Sequence, residues 1–174
     1  MTMSRYEDLC QIYTDHQRSM KTYKESAVGF AERLIAAITE DFGLSPDKIS
    51  YRDEQDRRFN GHPRAYIRLN QDSYFHLRFG IKLEEGPRSF PKEDFIQDVR
   101  FKKMTPEGSE WLLEFPQGLR FTLPEESQPD DFRQVNDSLY KLIGNFYRYY
   151  LRSFLSPEPN ITPIGFKTES LGEE

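Results

Sequence analysis

AYIRLNQDSYFHLRFGIKLE, residues Ala65 to Glu84, alternates apolar and polar side chains more cleanly than any other part of the chain. Ala65, Ile67, Leu69, Phe75, Leu77, Phe79, Ile81 and Leu83 hold odd positions; Tyr66, Arg68, Asn70, His76, Arg78, Lys82 and Glu84 hold even ones. A strand points successive side chains to opposite faces, so this period of two assigns the odd residues to one dry face and leaves the even ones wet. Opposed residues of an antiparallel pair share a face, so their numbers must sum to an even value. A three-residue turn, Gln71-Asp72-Ser73, meets that condition. It sets Leu69 opposite Phe75, Arg68 opposite His76 and Ile67 opposite Leu77.

Downstream the parity continues through Val99, Phe101, Trp111, Leu113, Phe115, Leu119, Phe121 and Leu123. A turn over Met104 to Gly108 is expected to place Phe101 opposite Trp111 and Lys102 opposite Glu110. A turn at Pro116-Gln117-Gly118 is expected to place Leu113 opposite Phe121 and Glu114 opposite Arg120, a cross-strand ion pair. Upstream, Ile49-Ser50-Tyr51-Arg52 reads as a short first strand, followed by a polar loop from Asp53 to Pro63. Pro124 ends the sheet.

Two helices flank it. Between Arg5 and Glu40 there is no proline, and Leu9, Tyr13, His16, Met20, Tyr23, Ala27, Phe30, Leu34 and Ala37 follow one another in steps of 4, 3, 4, 3. That is a heptad seam. A continuous helix here would be roughly 54 Å long at about 1.5 Å per residue, against a radius of gyration near ~16 Å for a compact domain of this length. Either it breaks near Arg18 to Thr22, or its first half overhangs the domain and pairs with another chain. Gly43 closes it. Ser127-Gln128-Pro129-Asp130-Asp131, with the Ser127 hydroxyl as cap, opens a second helix running to about Leu155, whose stripe from Phe132 through Val135, Leu139 and Phe146 is placed to cover the dry face. The expected fold is α+β: a long N-terminal helix, an antiparallel meander sheet of five to six strands, and a C-terminal helix packed on one sheet face as a two-layer sandwich. Residues 1–156 form one domain and 157–174 an extended or mobile tail.

Composition bounds the function. The 174 residues suit a single domain, and 14 Phe with 10 Tyr supply the buried area that a hydrophobic share of only 36% would otherwise lack. The net charge of -5 argues against a surface wholly devoted to nucleic acid or anionic membrane. With Cys10 alone no internal disulfide can form, which favours a reducing, cytoplasmic setting. No apolar run is long enough to span a bilayer. His16, His62 and His76 lie too far apart in sequence for a local metal pair, and no phosphate loop or nucleophile elbow occurs. No catalytic residue, metal or cofactor is expected.

Two features are uneven. Between Arg57 and Arg88 there are seven Lys or Arg against three Asp or Glu, a local +4 inside a chain of -5. Arg57, Arg58, His62 and Arg64 crowd one loop, and Arg68, His76 and Arg78 join them from the wet face. Guanidinium forks beside aromatic rings suit an anionic partner or a nucleic-acid backbone, while an ordinary solvated sheet face is the plain alternative. The second feature is the aromatic run from Phe146 to Phe154, which encircles its helix. Tyr147 and Leu151 must therefore meet something other than the sheet: the N-terminal helix of the same chain, another subunit or a ligand. Together with Tyr13, His16, Met20 and Tyr23 on the heptad seam, they form the expected interface of a homodimer. The order helix, meander, helix resembles in outline small acidic dimeric chaperones and ligand-binding α+β modules, and an outline transfers no residues. The reading is a non-catalytic cytoplasmic binding or adaptor protein. Nucleic-acid association through the Arg57 to Arg88 patch is the alternative, and an enzyme on an anionic small molecule, with His62 or His76 as acid-base, is the third.

Overall fold

The computed structural model describes residues 4–86, 88 and 93–155, with side chains as far as Tyr149. The expectations for the 157–174 tail and for the side chain of Leu151 fall outside the described residues.

Helix α1 runs unbroken over Arg5–Asp41, so of the two alternatives the break near Arg18 to Thr22 does not occur and the first half overhangs. Its start is held by a capping box: Ser4 Oγ accepts the Glu7 N–H while the Glu7 carboxylate accepts the Ser4 N–H. Its end is a Schellman turn. Gly43 adopts φ 61°, its N–H reaches Glu40 O, and the Leu44 N–H reaches Thr39 O. At about 1.5 Å per residue these 37 residues span roughly 55 Å, and residues 4–19 are exposed throughout. Only the inner half packs. Ala27, Phe30, Ala31, Leu34, Ile35, Ala37 and Ile38 are buried.

The sheet has seven strands: β1 (Ile49–Arg52), β2 (Arg58–Phe59), β3 (Arg68–Leu69), β4 (Phe75–Leu83), β5 (Glu93–Lys103), β6 (Glu110–Glu114) and β7 (Arg120–Pro124). All pairs are antiparallel, in the order β2-β1-β4-β5-β6-β7. The edge of β4 is shared, because β3 pairs with Phe75 and His76 while β1 pairs with Phe79, Gly80 and Ile81. The expected plain meander is therefore interrupted at β3.

The quoted stretch folds as a short hairpin. Arg68 opposes His76 and Leu69 opposes Phe75, and the turn closes through Ser73 N–H to Asn70 O with Ser73 at φ 66°. Ile67 does not pair with Leu77. Pro63 starts a 3₁₀ turn over Pro63–Tyr66 instead, since its fixed φ and missing N–H suit a turn start better than a ladder. Ala65 is thereby exposed, against the parity.

From β4 onward parity holds: Phe75, Leu77, Phe79, Ile81, Phe95, Val99, Phe101, Trp111, Leu113 and Leu123 are all buried. One register expectation fails. Phe101 faces Leu113 and Lys103 faces Trp111, because the Met104 N–H closes on Glu110 O and leaves Thr105 to Ser109 as the loop. The loop keeps five residues but sits one further along, so both partners stay on the expected face while Lys102 loses Glu110. The Leu113–Phe121 and Glu114–Arg120 pairs form as read from the spacing.

Helix α2 (Arg133–Leu155) follows a 3₁₀ turn, Pro129–Phe132. Gln128, not Ser127, caps that turn, its N–H donating to Asp131, while the Ser127 hydroxyl bonds Pro124 O. Both helices lie on the odd face. Phe30 packs between Trp111, Phe101 and Phe132 at 5.1, 5.2 and 6.0 Å between ring centres, and Phe146 of α2 meets Phe95 at 5.9 Å. Asn136 Nδ2 donates to Ala37 O and ties α2 to α1.

Candidate functional site

Every even residue of β4, β5 and β6 shares the face away from the helices, and ladder pairing brings opposite charges together there. Arg78 lies across from Asp98, reaches its carboxylate through Nε at 2.6 Å, and touches Asp56 at 3.2 Å. Arg100 donates through Nε to Glu114 at 2.8 Å, and Arg120 reaches the other Glu114 oxygen at 2.8 Å. Glu114 is thus buried between two guanidiniums. The His76 ring is 2.9 Å from Asp72. Desolvation alone would push the Asp72 carboxyl up, but the Tyr74 N–H, His76 and Arg100 together hold it below the ordinary carboxylate range. Tyr74 lies between two cations, with Arg100 at 4.5 Å and Lys102 at 4.3 Å from its ring centre.

Three more arginines of the basic stretch are paired in the same way. Arg57 pairs with Asp53 at 2.7 Å, Arg58 with Asp94 at 3.4 Å, and Arg68 with Glu54 at 3.1 Å. His62 Nδ1 is 3.5 Å from Glu32 on α1. Arg64 stands apart, on the rim of a shallow depression beside Met20, Lys21 and Lys24. Carboxylates from outside the stretch therefore offset part of the local +4: Asp53, Glu54 and Asp56 from the loop after β1, and from β5 the pair Asp94 and Asp98. The even numbers of Asp94 and Asp98 were the available signal. His62 and His76 do not meet. His76 borders a small groove of about 180 Å³ with Arg68 and Arg78, which His62 does not line. Among the described residues no cluster of three or more His, Cys, Asp or Glu is placed to hold a metal ion.

The expected interface residues divide by location. Tyr13 and His16 project from the overhanging half of α1, whose seam also exposes Tyr6 (76%), Leu9 (63%) and Ile12 (58%). Met20 and Tyr23 sit where α1 joins the body. There a cleft of about 770 Å³ opens between α1 and the β3-β4 and β5-β6 turns, walled by Met20, Tyr23, Leu69, Met104 and Pro106, with Lys102 and Arg18 at its edges. Tyr23 stacks on Trp111 at 5.8 Å and its hydroxyl accepts the Lys103 N–H at 3.3 Å. Local periodicity carries no trace of this cleft, since three separate segments build it. Leu69, expected on the dry face, is instead exposed at the end of its hairpin and faces the cleft with Met104. On α2, Tyr147 is partly exposed; burial first and the Glu93 carboxylate second push its phenol up to about 12. Cys10 is exposed on the overhang.

Among the described residues no helix is long and apolar enough to cross a membrane. No protein-family model, curated protein or solved structure matches the chain.

Proposed function

We propose that this chain is a non-catalytic cytoplasmic binding module that works as a homodimer, joined through the projecting half of α1, and that it offers its polar sheet face to a protein partner. One observation carries the reading: a capped, continuous helix holds Tyr6, Leu9, Ile12 and Tyr13 out in water, away from its own domain. A helix segment of this length without tertiary contacts is marginal on its own. Apolar side chains of this size contribute ~1.5–3 kcal/mol each on burial, so eight in a pair are enough to offset an association cost of roughly 4–15 kcal/mol.

The ion-paired sheet face weighs against nucleic acid as the partner. Affinity for a phosphate backbone comes mainly from releasing mobile counterions, and these guanidiniums are neutralised by fixed carboxylates that would have to be displaced. A protein surface able to exchange pairs with such a face suits it better. The enzyme reading has less support: His62 is largely exposed beside Glu32, and His76 is already paired with Asp72.

Light scattering on a size-exclusion column tests the reading. The native chain is expected to move from monomer to dimer with rising concentration, and Leu9→Glu combined with Tyr13→Glu is expected to stay monomeric with the domain's denaturation midpoint unchanged. A native chain that remains monomeric at high micromolar concentration removes the proposal.

A further inference from the structure

Continuing the seam back to Tyr6 places Tyr6, Tyr13 and Met20 at one core position of the heptad and Leu9, His16 and Tyr23 at the other. Antiparallel helices pack one class of core position against the other. The sums 6 + 23, 9 + 20 and 13 + 16 are all 29, so a single register satisfies all three layers at once. The two-fold axis then passes between Thr14 and Asp15.

We infer that a second copy of this chain is the occupant of the cleft at the base of α1: two α1 helices cross antiparallel, and the Tyr6–Leu9 turn of each protomer seats in the cleft of the other. This rests on the self-association proposed above and specifies its geometry. Four observations on separate parts of the fold agree. Leu9 falls against the partner's Met20 and Tyr6 against the exposed edge of the partner's Tyr23, the two seam residues among the α1 side chains that line the cleft. A helical turn about 10 Å across and 5.4 Å in rise displaces on the order of 400 Å³, so the cleft of about 770 Å³ holds nearly two turns. The helix tip, with Glu7 and Asp8 against Arg5, is net acidic, whereas around the base Arg18, Lys21, Lys24, Lys102 and Lys103 outnumber Glu25 and Glu125. Finally, the layer at the axis pairs Tyr13 with the partner's His16, giving the polar seam residue a phenol to bond. A parallel pair would instead set the two acidic tips side by side, stack imidazole on imidazole, and leave both clefts open.

Two measurements separate this geometry from simple dimerisation. In Gln17→Cys, residue 17 of each protomer comes within disulfide reach of native Cys10 in the other, because both lie on the same flank of the antiparallel seam. Within one helix the two are about 10.5 Å apart along the axis, too far to bridge. Mild oxidation is expected to give a covalent dimer whose peptides link 10 to 17. Spin labels on Arg5→Cys in a Cys10→Ser background are expected roughly 28 Å or more apart, whereas a parallel pair would bring them within about 15 Å. Met104→Asp, on a turn outside α1 and exposed in the protomer, is expected to weaken dimerisation about tenfold with helix content unchanged. A native dimer with closely spaced labels, or one indifferent to Met104→Asp, overturns the cleft seat and leaves self-association standing. A monomer overturns both.

Discussion

Truncating Phe30 to alanine asks whether the inner half of α1 holds the sheet together. Phe30 is fully buried, and its ring contacts come from three other segments, with Trp111 on β6, Phe101 on β5 and Phe132 ahead of α2 all within 6.0 Å. Phe→Ala in a core costs ~3–5 kcal/mol, the spread depending on how far the site collapses. Here Phe101 and Trp111 are fixed by the sheet, which favours the middle to upper part of that range. A loss of about 4 kcal/mol takes a large share of a typical domain stability of ~5–15 kcal/mol and lowers Tm by roughly 8–16 °C at this chain length. Urea unfolding followed by tryptophan fluorescence measures it, since Trp111 is the single tryptophan and lies against Phe30. Far-ultraviolet dichroism on the same samples checks that unfolding stays two-state. Leu9→Ala, on the same seam but exposed, is expected to change dilute-protein stability by less than about 0.5 kcal/mol. A loss below ~1 kcal/mol for Phe30→Ala, at unchanged denaturant slope, would mean that α1 does not pack where the aromatic cluster puts it.

Two further outcomes follow from the polar groups. Among the described residues Ser50 Oγ is buried without a hydrogen-bond partner, so Ser50→Ala is expected to leave stability unchanged or raise it by up to about 1 kcal/mol; a loss above that in chemical denaturation would reveal a partner. The Lys103 ammonium first and the Ser26 hydroxyl second hold the Glu125 carboxyl below its ordinary value near 4.5. A depressed folded value means stability that is complete above the unfolded value and lost as pH falls through the folded one. Denaturation midpoints should therefore hold down to about pH 5 and drop below it, with Glu125→Gln less stable at neutral pH and flatter in acid. A midpoint for Glu125→Gln that tracks the native protein at every pH would exclude this tether.

Much of the fold was legible because the strand period and the hairpin arithmetic are local. The odd face from Phe75 to Leu123, the Gln71 to Ser73 and Pro116 to Gly118 turns, the Glu114–Arg120 pair and both helices rest on spacing that a few residues decide. The misreadings arose where backbone chemistry competed with pattern. Pro63 drew Ala65 and Tyr66 into a 3₁₀ turn despite perfect alternation, and the β5-β6 loop, free to sit at 104–108 or 105–109 at equal length and equal parity, took the later position.

By itself the sequence determined which side chains share a face, because alternation and heptad spacing are properties of neighbours along the chain. Only the tertiary structure decided what the exposed remainder amounts to. Whether Arg58 and Arg78 present unpaired positive charge depends on carboxylates carried in by another strand, and whether the seam of α1 is core or overhang depends on where the sheet ends beneath it. Both are fixed by long-range packing, and a charge or a methyl group has no way of announcing its distant partner from its own position in the chain.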